Sequence, residues 1–153
     1  ASDVYKRQMF IPTLSIFMAT AISGMLEGVG FWNDIRQLLE RAKTRSDVFA
    51  ANVGLAFLTG AVGCSQAIAV VMTHSIMRIT YAQQGIQDED VMLDFENSGI
   101  LIAPLQPWNI AAYVPIVMVG TSSTGYVPFA FFLYLVPLIY WLRLRKQDQP
   151  IIR

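Results

Sequence analysis

Two prolines in the middle of an otherwise apolar run set the strongest constraint on this chain. Residues 99–118 are apolar over a length that can cross a bilayer, yet Ala103-Pro104-Leu105-Gln106-Pro107-Trp108-Asn109 breaks any continuous helix there. Each proline removes a backbone donor and clashes with the turn before it. The residue ahead of each proline is also pushed away from helical angles. Hydrocarbon offers the freed carbonyls no partner, so non-helical backbone at that depth has to line protein or water. Broken helices near the bilayer midplane are a recurrent way of holding ions. The rest of the chain is expected to pack around this break.

Composition places the chain in a membrane. Apolar residues make up 54% of the sequence and charged residues only 14%, against about 25% charged in a typical soluble domain. The charges cluster and long apolar runs lie between them, the pattern of an all-α polytopic membrane protein. The net charge is zero, which suggests no nucleic-acid partner. Cys64 and His74 are the one cysteine and the one histidine, so neither an internal disulfide nor a Cys/His metal cluster is expected. Residues 1–8 are polar, lack an initiator methionine and run abruptly into apolar sequence. They read as an expression or assembly scar, and the chain reads as a fragment.

Residues 9–30 form the first expected span. Pro12 lies in its first turn, where a missing donor matters little, and Gly24, Gly28 and Gly30 allow close helix packing. Glu27 near its end is read either as an interfacial carboxylate or as a proton or cation site. Residues 33–47 carry four basic residues beside Ile35, Leu38 and Leu39 at helical spacing, an amphipathic connector on the cytoplasmic surface. Residues 48–72 are apolar but interrupted by Thr59-Gly60-Ala61-Val62-Gly63-Cys64-Ser65-Gln66. They form either one spanning helix or two halves of roughly 10–12 residues. Each half would rise only about 15–18 Å, too little for a ~30 Å core, and the pair would make a re-entrant hairpin. Residues 73–98 are a polar loop whose end, from Asp88 to Glu96, can begin a surface helix. After the broken span, 119–126 is an uncharged turn. Residues 127–142 are the last span, with Tyr140 and Trp141 in the aromatic belt, and 147–153 are a tail.

Charge distribution discriminates between the two readings of 48–72. A spanning helix puts the basic connector and the basic Arg143-Leu144-Arg145-Lys146 on opposite sides. A hairpin puts 33–47, 73–98 and the tail inside and leaves only the uncharged 119–126 outside. The hairpin is preferred because it obeys the positive-inside tendency without exception.

Glu96-Asn97-Ser98-Gly99, followed by Ala103-Pro104-Leu105-Gln106-Pro107-Trp108-Asn109, resembles the signature of the NhaC family of Na+/H+ antiporters, E-D/N-S/A-G and S-P-L-I-P-W-N. Gly63-Cys64-Ser65-Gln66 is similar to the family's G-C-N-Q stretch, Met25-Leu26-Glu27…Gly30 to its G-x-L-E-x-x-G, and Pro128 to Leu138 to its last helix. The likeness covers nearly all of residues 20–142. Five positions depart from it. Ser65, Leu133 and Val136 stand where the family has Asn, and Ile110 stands where it has Thr. Ala103 also replaces the Ser before P-L.

The resemblance implies a secondary active transporter exchanging sodium for protons across the bacterial inner (cytoplasmic) membrane. The chain would be a fragment of an inverted-repeat fold containing a re-entrant hairpin, a broken transmembrane helix and a closing helix. An alternative within the family is a malate/lactate-type organic anion exchanger; outside it, a non-transporting membrane subunit. No nucleophile–base pair, metal-ligand spacing or phosphate loop points to an enzyme. Sodium is a hard cation that wants oxygen ligands. Ser65, Gln66, Pro104, Gln106 and Asn109, side chains and carbonyls together, are the candidate ion-binding set. Glu27, Glu96 and His74 are the candidate proton-coupling residues. The blander alternatives are simple proline kinks, glycines that only permit packing, an interfacial His74, and Cys64 as a small buried residue. No resident cofactor is expected. The partners are the lipid bilayer, a sodium ion and a proton, the remainder of the transporter chain and, where it self-associates, a second copy in a homodimer.

Overall fold

A computed structural model describes residues 44–148 without interruption, together with positions 10, 13–14, 17–18, 21–22, 24–26, 28–32, 35, 39 and 42. The expectations for residues 1–8, for Glu27 and for most of the tail therefore lie outside the described residues, and those for 9–30 and 33–47 are covered only in part. The described positions between 10 and 28 are helical, and the chain turns at Val29–Gly30, where Gly30 adopts φ +73°. Such a left-handed angle costs glycine little. Among the described residues every regular element is a helix.

Helix α1 (Arg45–Gly63) begins with a capping box. The Thr44 hydroxyl accepts from the Asp47 N–H at 3.1 Å, and the Asp47 carboxylate accepts from the Thr44 N–H at 3.2 Å. These bonds satisfy two of the donors that a helix start leaves unpaired. Its buried residues include Val48, Asn52, Leu55, Ala56, Thr59, Gly60 and Gly63. Spacings of three and four place them on one stripe. The helix ends at Cys64, which takes the left-handed angle φ 50°. Helix α2 (Gln66–Gln83) then returns against α1, burying Ala69, Thr73, Ile76, Met77, Thr80 and Tyr81 at the same spacing. The chain is thus broken at Cys64–Ser65 rather than running as one rod through 48–72.

The arms are longer than expected. With 19 and 18 residues they rise about 28 and 27 Å, not the 15–18 Å of two short halves. The stretch 73–98 is likewise helical over most of its length, because α2 continues to Gln83 and α3 (Asp88–Phe95) follows after a turn at Gly85. Polar side chains ended the apolar run at 72, but they do not end the helix. Their outer faces are solvated while Thr73, Ile76, Met77, Thr80 and Tyr81 remain buried.

Helix α3 widens into a π turn over Glu96–Ile100, and a 3-10 turn over Ala103–Leu105 carries the chain to the break. Helix α4 (Ile110–Val119) leaves it at 50° to the preceding helical stretch. A short turn, α5 (Ser123–Tyr126), and a 3-10 turn over Val127–Phe129 lead into α6 (Phe131–Gln147). Among the described residues α1 alone is long and apolar enough to cross a membrane as a single helix. The bent pair of Asp88–Leu105 and Ile110–Val119 passes the same test together.

Asp94 fastens one end of this assembly. Its carboxylate is fully buried and accepts two bonds from Arg45, at 2.8 and 2.7 Å, one from the Tyr81 hydroxyl at 2.9 Å and one from the Tyr140 hydroxyl at 3.3 Å. Four donors from α1, α2 and α6 therefore converge on one side chain of α3. Asp148, just past α6, accepts from the Ser46 N–H at 3.1 Å and from the Ser46 hydroxyl. A carboxylate at a helix N-terminus is favoured by the helix dipole. Much of the outer surface is apolar, with Phe17, Val29, Met118, Val119 and Phe129 all more than 75% exposed. That surface suits lipid or further membrane helices.

Candidate functional site

The two helix breaks meet. The Ile110 N–H, first in α4, donates to the Cys64 carbonyl at the end of α1 over 3.0 Å. Ser65 and Gln66 thus lie beside the 104–110 backbone. The reason is hydrogen-bond accounting around the prolines. A helical carbonyl normally accepts from the N–H four residues on. For Ile100 and Ala103 that residue is Pro104 or Pro107, which has no N–H. The Gln66 side chain donates to the Ile100 carbonyl at 3.1 Å, and the Gln106 N–H takes the Ala103 carbonyl at 3.1 Å. The Tyr126 hydroxyl donates to the Pro104 carbonyl.

The same segment closes the end of α1. Of the carbonyls a helix end can leave without intrahelical partners, this segment covers that of Ala61; Phe57 lies further inside α1, and the Gly60 carbonyl also accepts from the Cys64 N–H at 3.0 Å. Gln106, 1% exposed, donates from Nε2 to the Phe57 carbonyl at 2.7 Å. Asn109, fully buried, donates from Nδ2 to the Gly60 carbonyl and to Gln106 Oε1, each at 3.4 Å. The Trp108 indole donates to the Ala61 carbonyl at 3.1 Å although the residue is 55% exposed. Asn109 Oδ1 accepts from the Ala111 N–H at 3.1 Å and so caps α4. Gly60 permits the contact, because a Cβ there would lie 3.0 Å from Gln106 Oε1.

The chemical consequence is a cluster of oxygens around the break, two of which have bonding capacity to spare. Gln106 Oε1 has only the long bond from Asn109, and the Ser65 hydroxyl makes no cap bond to α2. The Cys64 carbonyl points from α1 toward the break. The C-terminus of α1 brings partial negative charge to this place, and the N-termini of α2 and α4, which start at Gln66 and Ile110, bring partial positive charge.

The structure brings together Ser65, Gln66, Pro104, Gln106 and Asn109. It does not bring His74 or Glu96 to them. His74 is exposed on α2, with its ring 5.7 Å from that of Phe95, and Glu96 is exposed at the start of the π turn. The reading of Cys64 as an ordinary buried residue gives way to a half-buried helix cap.

Sequence reasoning missed a line of buried polar groups leading away from the break. Thr59 Oγ1 lies 2.8 Å from Thr73 Oγ1 and also approaches the Leu55 and Ala69 carbonyls. Asn52 Nδ2 donates to Ser98 Oγ at 2.8 Å. Arg45 and Asp94 stand at the far end. Arg45, Asn52 and Thr59 are seven residues apart, which puts them on one face of α1 with a drift of only about 20° per step. That spacing was the available signal.

Comparison with known proteins matches residues 7–142 to the Na+/H+ antiporter family. The chain is 29% identical over 132 residues to the Na(+)/H(+) antiporter NhaC of Bacillus subtilis (strain 168), covering 81% of this chain and 28% of that protein. It is 24% identical over 129 residues to the Na(+)/H(+) antiporter NhaC of Alkalihalophilus pseudofirmus (strain ATCC BAA-2126 / JCM 17055 / OF4), covering 81% of this chain and 27% of that protein. It thus spans little more than a quarter of either relative. No solved structure matches. The family match extends over nearly the whole sequence, including both breaks, and the chain belongs to the Na+/H+ antiporter family.

Proposed function

We propose that the two breaks form part of a sodium site in a transporter that exchanges sodium for protons across the bacterial cytoplasmic membrane. The observation that carries this reading is the direct joining of the breaks through the Ile110–Cys64 bond. Gln106 Oε1, the Ser65 hydroxyl and carbonyls near Pro104 supply ligands of the type a hard cation prefers. Gln66 and Asn109 hold the breaks in register. In this reading α1 and α2, each nearly as long as the bilayer core is thick, form a helical hairpin with both ends on one side, 88–119 the broken helix and α6 the closing helix of one half of an inverted repeat. Support comes from the gathering of Arg45, Asp94, Tyr140 and Asp148 at one end, which puts the basic residues of α1 and α6 on one side. Glu27, Glu96 and His74 are the groups to test for the proton.

The test is sodium-driven proton movement in proteoliposomes containing the complete protein. Ser65→Ala and Gln106→Leu are each expected to raise the half-saturating sodium concentration about tenfold, as losing roughly 1.4 kcal/mol of binding would do. If Ser65→Ala and Asn109→Ala both leave sodium-dependent transport unchanged, the reading fails.

One feature favours an organic anion instead. The N-terminus of α2 carries no side-chain cap, and uncapped helix N-termini attract carboxylates. The donors of α4 are by contrast engaged, through Ile110, Ala111, Ala112 and Tyr113. Counterflow of labelled malate or lactate, without sodium movement, would favour the anion reading.

A further inference from the structure

A groove of about 600 Å³ opens between α1 and α6, within the roughly 300–1,000 Å³ of ligand pockets. Phe49, Val53 and Phe57 form one wall and Leu133, Pro137 and Trp141 the other, each set spaced one turn apart along its helix. No charged side chain lines it. Gly54 leaves room on the α1 wall, because a Cβ built there meets nothing within 4 Å. The two helices run in opposite directions, since Ser46 bonds to Asp148 and the Phe49 ring packs on that of Tyr140. The groove therefore reaches from Phe49 and Trp141 at one end to Phe57 and Leu133 at the other. Eight residues of helix rise about 12 Å.

The end at Trp141 is basic. Arg145 lies one turn beyond Trp141, with its guanidinium 5.2 Å from the centre of the indole ring. That contact favours the cation and keeps it at the mouth of the groove. Lys146 is next to it, and both side chains are exposed. Neither is paired with a carboxylate among the described residues. Asp148, the acid that follows them, is engaged by Ser46.

Length and charge together select the occupant. A further spanning helix would need a seat along the whole ~30 Å of the bilayer core. This groove is closer to the depth of one leaflet. Hydrocarbon gives an acyl chain no hydrophobic gain on leaving the bilayer for the groove, so only packing and head-group charge can make one lipid preferred. Lys and Arg at the end of a membrane helix attract anionic head groups.

We propose that this groove seats an acyl chain of an anionic phospholipid whose phosphate lies at Arg145 and Lys146. A zwitterionic lipid has the same chains, but its ammonium group offsets the phosphate. The inference needs the membrane setting of the family and not the sodium site.

The experiment is quenching of tryptophan fluorescence in the purified complete protein by lipids brominated in the acyl chain, phosphatidylglycerol against phosphatidylcholine, in mixed micelles. The Trp141 signal is the part lost in Trp141→Phe. Half-quenching of that signal is expected at a mole fraction of phosphatidylglycerol roughly tenfold below that of phosphatidylcholine, and Arg145→Gln is expected to shrink this preference about fivefold. Gly54→Leu places a side chain in the open space and is expected to raise the fraction of either lipid that is needed. Equal fractions for the two lipids would overturn the proposal, because Trp141 would then meet bulk lipid only. A Trp141 signal that neither lipid quenches would also overturn it, with another part of the transporter covering the groove. So would a Gly54→Leu protein quenched like the parent. Sodium-driven transport is read in its own assay and none of these outcomes bears on it.

Discussion

Replacing Asp94 by Asn keeps the volume of the side chain and removes its charge. The Arg45 guanidinium, whose side chain is 18% exposed, is left largely buried without its bidentate partner at 2.7 and 2.8 Å. Breaking one side of a buried pair costs on the order of 3–5 kcal/mol, because the remaining charge is uncompensated. Arg45 keeps some solvent contact, which puts Asp94→Asn near the lower end, about 3 kcal/mol. Arg45→Met leaves the fully buried carboxylate with only Tyr81 and Tyr140 as donors, and about 4 kcal/mol is expected. The double change Arg45→Met/Asp94→Asn removes both charges and keeps an oxygen for the Tyr81 hydroxyl. Its remaining cost is the buried amide hydrogens without an acceptor, about 1–2 kcal/mol. The assay is a double-mutant cycle on unfolding of the purified protein in mild detergent. A double variant about as unstable as the two single losses combined would show that the pair is not coupled, and would refute the reasoning.

Further expectations concern the breaks. Cys64→Gly is expected to stabilise by about 1 kcal/mol, since glycine adopts φ 50° without the penalty a Cβ brings; thermal unfolding measures it. Gly63→Ala would place a Cβ 2.7 Å from Ile68 Cγ2 and should cost about 1–3 kcal/mol, with Ile68→Ala on top recovering part of the loss. Asn109→Ala removes the α4 cap and should cost about 1 kcal/mol, while Asn109→Asp, which keeps the accepting oxygen, should retain that cap. Hydrogen exchange at Ala111 distinguishes the two.

How much of this was legible in the sequence depends on how local the cause is. Pro104 and Pro107 dictate a break, and Gly60, Gly63 and the following polar residues mark the other, because backbone chemistry acts within a turn or two. No local rule brings the two breaks together, and the Ile110–Cys64 bond is what joins them. The length of α2 was misjudged because its polar outer face hid a buried stripe at Thr73, Ile76, Met77, Thr80 and Tyr81. Asp94 was hidden among Asp88, Glu89 and Asp90, a run that reads as solvated. Its partner Arg45 lies 49 residues away, and no local rule pairs two such residues.

In the proposed function sodium occupies the space between the breaks, and Cys64 reports on that space without any substitution. It is half-buried at the end of α1, and its carbonyl accepts from Ile110. The measurement is the rate at which a small hydrophilic maleimide modifies Cys64 in the complete protein, followed by peptide mass mapping. Sodium is expected to slow the reaction several-fold relative to choline at equal ionic strength, with the protection lost in Gln106→Leu. Equal rates in sodium and choline in the unaltered protein would contradict a sodium site at the two breaks.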